Sequence, residues 1–577
     1  MSDISIQNGY YGKLVTKKNG NTFFEPIGKA VTLVKIIKSI EKVKYDFVLG
    51  YDYGMESLTY TISRGKLSDP NTCTDLASAG MDVERKEYSA FYKSITQQED
   101  EVLQNFGIHY SYENLGWLHT PRISDDGSMA LCYRSCSLIT ANRVLKGEYT
   151  GKYFITPKGT LADWVTMARE EVLPHTPLSI VLLCSLSAIT AGILGFKYPL
   201  GNGIMHLCAV SSAGKTTAAF LAASIAGDPF MAAKTVWENG NSVEKISLLQ
   251  SFSSTENALI GKLSGNIGVP IIIDELGKYT GDDLTQTIFN MYDGGSKSRY
   301  NDKMQVYEQA GFKGTIITTG EFSLFEKCGK KLEGLYNRVL KIKDKLTVSP
   351  EHSDKIKQTC MKNNGRIAPR LAKYILDNGG IDYVVPKYEH WKKVLREILP
   401  AVSFKEKFID TFPALYLTTA EIAKEALGLE FNVEGIVEYF CNYLEDTDNN
   451  MEVSLDSYDY LMKEFFANSA NFYQKSNSND IQTHSTVWGR YEMFEDEIHP
   501  SGKKIVGKYL VRQNIVNDLL KKGGYTKAQC VAVWKQKGLI DYEKGRNTRT
   551  RKIDFTKKSE EIFVFYVFEP QETSQDE

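Results

Sequence analysis

An α/β fold is predicted by three apolar runs in this 577-residue chain, each ending in polar residues. The first, Met205–Cys208, enters Ser211-Ser212-Ala213-Gly214-Lys215-Thr216-Thr217 and then the helix-forming run AAFLAASIAG. The second, Val269–Ile273, ends in Asp274-Glu275, and the third, GTIITTGE, ends in Thr319-Gly320-Glu321. Unbroken, largely β-branched apolar runs fit strands buried on both faces of a parallel sheet. Open α/β sheets bind ligands beyond the carboxyl ends of their strands, where these polar endings fall.

Length implies several domains. An apolar content of 42% and a net charge of −2 describe a globular chain, not a disordered one. The charge is uneven: Ser501–Lys558 holds sixteen Lys/Arg against four Asp/Glu, a basic module on an acidic body. That asymmetry suggests a nucleic-acid footprint. Nine scattered cysteines, whose close pair Cys132/Cys136 has no nearby histidine, read as free thiols of a cytoplasmic protein. The amino terminus, MSDISIQNGYYGK, has no signal-peptide core.

Along the chain, residues 1–150 read as a strand-rich α+β domain. Tyr45–Tyr51 and Ser57–Ile62 are β runs, Asp82–Gln104 is helical, and a strand group surrounds Gly116-Trp117-Leu118. The α/β core is expected over 151–380, opened by a helical stretch, LADWVTMAREEVL. Pro177–Phe196 is uncharged and long enough for a bilayer. Its Ser, Thr, Cys and Gly content favours a helix buried against the sheet, so no membrane partner is expected. Asp354–Asn378 and the region 381–475 are helical, and 476–493 is a polar linker.

The strand–loop–helix order around Lys215 is that of a phosphate-binding P-loop. Unpartnered N–H groups at a helix start favour an anion. Lys215 would reach the outer phosphates of a nucleotide and the Thr216 hydroxyl would ligate Mg2+, with Ser211–Thr217 as the nucleotide-binding set. The motif's first glycine position is Ala209, which predicts a restricted loop, since alanine tolerates positive φ poorly. Asp274 lies 59 residues after Lys215. It would hold Mg2+ directly or through water, while Glu275 polarises the attacking water. Either motif alone also fits a buried strand with a capping acidic pair. Together, in order, they predict binding and hydrolysis of a nucleoside triphosphate. Thr319 or Thr318 would position that water. Arg338 in LEGLYNRVLK is either an ordinary surface arginine or a group reaching a neighbouring subunit's γ-phosphate, which requires an oligomer.

Between these strands lies DGGSKSRYNDKMQVYEQAGFKG. As a β-hairpin it would present Lys297, Arg299 and Lys303 to a nucleic-acid backbone; as a surface loop it would only be solvated. Near the carboxyl end, Leu510–Leu520 reads as an amphipathic helix, Lys521–Tyr525 as a turn, and Thr526 as the cap of a second helix bearing Lys527 and Lys535. A strand (GLIDY), a basic loop with Arg546, Arg549, Arg551 and Lys552, and a closing strand (EIFVFYVF) complete a winged-helix pattern over 494–577. Such a helix enters the major groove and such a wing meets phosphates or the minor groove. A solvated cationic surface or a protein-binding winged helix fits the same residues.

The ordered set of P-loop, IIIDEL, basic hairpin, TTGE and NRV resembles an AAA+ P-loop ATPase of the pre-sensor-1-hairpin branch, which includes MCM-like and viral superfamily 3 helicases. With Gly227-Asp228-Pro229, Trp237-Glu238-Asn239, DELG, GGSKSR, the Gly116-Trp117 region and the terminal winged helix, the chain resembles replication-initiator helicases of staphylococcal pathogenicity islands and chromosomal cassettes. The resemblance implies a hexameric, ATP- and Mg2+-dependent helicase that loads at its element's own origin. Single-stranded DNA would run through its central pore, and duplex origin DNA would meet the winged helix. It implies that Thr319 is a sensor, Arg338 a finger acting in trans, and Lys297, Arg299 and Lys303 translocating residues. A non-unwinding AAA+ DNA remodeller and a nucleotide-switched DNA-binding regulator are the competing expectations.

Overall fold

The computed structural model describes residues 3–569 apart from 19, 125, 210–211, 231–232, 239–240, 253–255, 280, 282–283, 296–298, 301–305, 308–310, 329–332, 403, 450–451, 475–486, 501–503, 526, 544–545 and 554–558. At its centre, β1 (Gly203–Cys208), β2 (Leu249–Ser251), β3 (Ile271–Asp274), β4 (Thr315–Gly320) and β5 (Val339–Ile342) form one parallel sheet in the order β2-β3-β4-β1-β5. Successive side chains of a strand point to opposite faces. Met205, Leu207, Ile272, Ile317, Leu340 and Ile342 accordingly join one core, and Ile204, Ile271, Ile273, Ile316 and Val339 the other. Burial on both sides is what the unbroken apolar runs predict. The order inserts β4 between the P-loop strand and the acidic strand, so Thr318 pairs with both His206 and Ile273.

The membrane-length run is α1 (Thr176–Leu194), and its most apolar window is 94% buried inside the fold. It packs beside α2 (Lys215–Ser224). Its hydroxyls are satisfied there: Ser185 donates to the Ala222 carbonyl at 2.7 Å. Thr190 accepts from Thr419 of α5 (Pro413–Leu427) at 2.9 Å, and the helix Ile381–Ile398 shares the same core. The other sheet face is covered by α3 (Thr285–Asp293). Asp354–Asn378 is not one helix but two, α4 (Pro350–Lys362) and Ile367–Asp377. Gly365, at φ +74°, turns between them and donates its N–H to Ser224. Likewise Asp82–Gln104 divides into Tyr88–Thr96 and Glu99–Phe106. Gln98 between them donates to the Val31 carbonyl and accepts from Leu33 N–H, fixing the break to the neighbouring sheet.

The amino-terminal region holds a three-stranded sheet (3–29), a five-stranded sheet that includes Tyr45–Tyr53 and Glu56–Ser63, and a four-stranded sheet starting at Gly116–Thr120. Gly116 docks this region on the central core. At φ +84°, an added Cβ would lie 1.7 Å from the Ile267 carbonyl oxygen, so only glycine fits. Trp117 Nε1 donates to Ile189 of α1, and Tyr133 Oη to Gly268. The buried Arg134, paired with Glu41, donates to the carbonyls of Leu115, Gly116 and Trp117, the saturation that a buried ion pair requires.

The carboxyl-terminal module contains α6 (Glu452–Ala467), β6 (Gly489–Ile498), β7 (Lys504–Arg512), α7 (Gln513–Lys522), α8 (Lys527–Gln536), β8 (Ile540–Asp541), β9 (Arg549–Arg551) and β10 (Glu560–Phe568). The helix expected from Leu510 starts at Gln513. Leu510 and Val511 belong to β7, where their antiparallel pairing with Val564 and Phe563 outweighs local helix periodicity. Leu461 and Phe465 of α6 share a core with Trp534, Phe563 and Phe565, so this core reaches back well before residue 494.

Candidate nucleotide-binding site

Five sequence-selected residues, Lys215, Thr216, Asp274, Glu275 and Thr319, line one cavity of about 800 Å3 at the carboxyl edge of the central sheet. That volume lies within the usual range of small-ligand pockets. Ser212, Gly214 and Thr217 also line it; Ser211 lies outside the described residues. Gly214 sits at φ +92°, and a Cβ there would stand 2.6 Å from Thr347 Oγ1, so the glycine before the lysine is obligatory. The restriction expected from Ala209 does not arise. Among the described loop residues the left-handed backbone falls at Ser212 (φ +67°) and Gly214, and Ala209 is not among the positive-φ residues. Its methyl is buried, and its carbonyl accepts from Lys215 Nζ. Ala213 is likewise buried and accepts from Leu346 N–H.

Asp274 ends β3 and Thr319 nearly ends β4, two adjacent strands. Thr319 Oγ1 donates to Asp274 Oδ1 at 2.5 Å and accepts the Glu275 backbone N–H at 2.9 Å. Thr318 points elsewhere, to His206 Nδ1 at 2.8 Å. Of the two threonines, Thr319 therefore meets the acidic pair. Glu275 holds φ +65°, ψ 75°, a sparsely populated conformation for a non-glycine residue and a common mark of a functional position. Its carboxylate is exposed and 2.5 Å from Lys278 Nζ. His206 itself is fully buried; burial, reinforced by Lys341 and Lys215, lowers its pKa to about 4, so the ring is neutral.

The opposite wall escaped the sequence reading. Lys345, Thr347, Ser349, Pro350, Ser353, Asp354 and Lys357 complete the cavity. Ser349 caps α4 by accepting His352 N–H, and Pro350 occupies its first turn. Thr217 Oγ1 lies 2.6 Å from Ser353 Oγ, tying α2 to α4. A Ser-Pro helix start is visible in the sequence. Nothing local says that it faces the P-loop.

Arg338 does not join this cavity. Its carbonyl accepts from Ile204 near the start of β1, at the opposite edge of the sheet. Its guanidinium lies 4.8 Å from the Phe289 ring and 4.7 Å from that of Tyr292, and donates to Gly334 and Asn337. Arg299 lies on a short antiparallel hairpin, Arg299–Tyr300 against Val306–Tyr307, whereas Lys297 and Lys303 lie outside the described residues. In the terminal module Lys527 starts α8, with Nζ 5.5 Å from the Phe563 ring, and Lys535 donates to the Arg546 carbonyl. Arg549 pairs with Asp541 at 2.6 Å, and Arg546 lies 3.7 Å from Glu561. Arg551 and Lys552 are exposed. Part of the basic wing is thus neutralised within the module.

Across 98% of both chains, the fold matches a solved structure described as "SCCmec type IV Cch - active helicase", with a TM-score of 0.67 and 18% identity. Residues 453–572 match the family model described as the Cch helix turn helix domain, which coincides with α6–β10. No curated protein matches the chain. Residues 7–310, more than half of the chain, match the model described as a domain of unknown function (DUF927), and the chain belongs to that family.

Proposed function

We propose that the protein is an ATP-dependent DNA helicase of a mobile genetic element, an AAA+ ring that loads at its own origin and translocates on single-stranded DNA. The carrying observation is the convergence of Lys215, Thr216, Asp274, Glu275 and Thr319 on one cavity, with β4 inserted between the P-loop and acidic strands. The helix-turn-helix match supports DNA as the partner, and the structural neighbour is described as an active helicase.

The donor set fits a nucleotide with Mg2+. The α2 amino terminus offers N–H groups to phosphates, and Thr216 and Asp274 supply the hard oxygen ligands that Mg2+ prefers. Bound there, Mg2+ would neutralise charge on the phosphate oxygens. Lys215 exchanges the Ala209 carbonyl for the outer phosphates. Glu275 leaves Lys278 to accept the proton of the attacking water, and Thr319 holds Asp274 and the Glu275 backbone in place for it. Phosphoryl transfer asks the protein mainly for such positioning and charge stabilisation.

Strand displacement on forked DNA tests this. The parent should separate strands only with ATP, and Lys215→Ala should do neither that nor hydrolyse ATP. ATP hydrolysis without displacement would favour a non-unwinding remodeller. Full function in Glu275→Gln would favour a nucleotide-switched regulator.

A further inference from the structure

We propose that His206 is a positioning residue for turnover, its ring tethering the turn after β4 to the strand that carries the P-loop. The inference rests on the ATPase reading above.

His206 lies on β1, three residues before Ala209, and is fully buried. A buried imidazole needs partners for both nitrogens. Nε2 is 2.9 Å from the Phe322 carbonyl oxygen, which can only accept, so Nε2 carries the proton. Nδ1 then accepts from the Thr318 hydroxyl at 2.8 Å. The first bond reaches past the end of β4, and the second fixes the ring across the β1–β4 pairing.

The tethered turn is part of the site, because Gly320, Glu321 and Phe322 line the cavity. It is also closely confined. A Cβ on Gly320 would lie 3.1 Å from both His206 Cε1 and Leu276 Cβ, and Leu276 directly follows Glu275. Thr319, one residue before this turn, joins Asp274 to the Glu275 backbone. Loss of the Phe322 tether frees the end of β4 and blurs that alignment. The ring itself does not line the cavity, and Gly214, Lys215 and Thr216 belong to a different loop from the tethered turn, so ground-state binding through them is kept. The expected signature is a fall in kcat at constant KM.

Asparagine and glutamine separate the two bonds. His206→Gln places an amide donor near the Nε2 position and keeps the Phe322 bond; His206→Asn serves only the Nδ1 position. Steady-state ATPase kinetics should give His206→Asn a kcat about tenfold or more below the parent, with KM within about twofold, and His206→Gln a kcat within about threefold of the parent. Equal losses in both variants, an unchanged kcat in His206→Asn, or a raised KM would overturn the proposal. Should His206→Asn fail to fold by thermal melting, amide hydrogen exchange over Glu321–Ser323 in His206→Gln decides. Parent-like protection supports the tether, and lost protection at normal turnover removes it. A parent chain with no ATPase activity removes the underlying reading instead, a result distinct from active variants in an active parent.

Discussion

Thr319 ties the acidic end of the cavity together, since one hydroxyl joins the end of β3 to the strained backbone of Glu275. The roles of Glu275 and Thr319 separate by mutation. Glu275→Gln keeps shape and the backbone bond but removes the base, so nucleotide binding should persist while kcat falls by about 100-fold or more, the usual worth of a general base. Thr319→Val leaves the Glu275 N–H without its acceptor and Asp274 without a donor, and should lower both kcat and thermal stability, the latter by about 1 kcal/mol, the net worth of a hydrogen bond. Fluorescent-nucleotide titration, turnover and melting measure these effects. A Thr319→Val protein with parental kcat would remove its assigned part. That Lys215 and the acidic pair meet in one cavity was legible because each motif is written in consecutive residues at a strand end. Ala209 misled because one-residue reasoning could not show which loop position takes the left-handed turn. The cavity lining by Lys345 and Lys357 and the His206 contacts were not legible, since they depend on strand neighbours and on a segment 130 or more residues from Lys215.

At the scale of elements, hydrophobic patterning identified the buried strands and placed α1 inside the fold, because continuous apolar runs leave few other solutions. Boundaries were lost where tertiary partners decided them, as at Gln98, Gly365 and the β7–α7 junction. The wing shows the same limit for charge. Composition counts every basic residue alike, but Arg549 is paired with Asp541, while Arg551 and Lys552 are exposed. If the wing meets DNA phosphates, Arg551→Ala with Lys552→Ala should weaken duplex binding and flatten the log K–log salt slope by about 2, close to one unit per lost contact. Arg549→Ala should change that slope by less than about 0.5, since its charge is already compensated. Salt-dependent fluorescence anisotropy on duplex DNA reads both. A larger slope change for Arg549→Ala would reassign the contact.

At the scale of the whole molecule, the central question is whether one chain completes its own site. Lys215 and the acidic pair stand at the carboxyl edge of the sheet, and Arg338 at the other, packed against the Phe289 and Tyr292 rings. Within one chain these groups do not meet. The trans role that the resemblance implies requires Arg338 to reach the cavity of a second subunit. Mixing inactive variants tests this directly. Lys215→Ala lacks a functional cavity but keeps its finger, and Arg338→Ala has the reverse. Each alone should be nearly inactive, and in rings formed from equal amounts of both, about a quarter of interfaces pair an intact cavity with an intact arginine. Recovery towards about a quarter of parental ATPase therefore indicates a shared site. Arg338 also packs against two aromatic rings, so thermal melts of Arg338→Ala must accompany the mixing. A folded, ring-forming Arg338→Ala that retains parental turnover, or a mixture with no recovery, would return Arg338 to a structural role and leave the cavity complete within one chain.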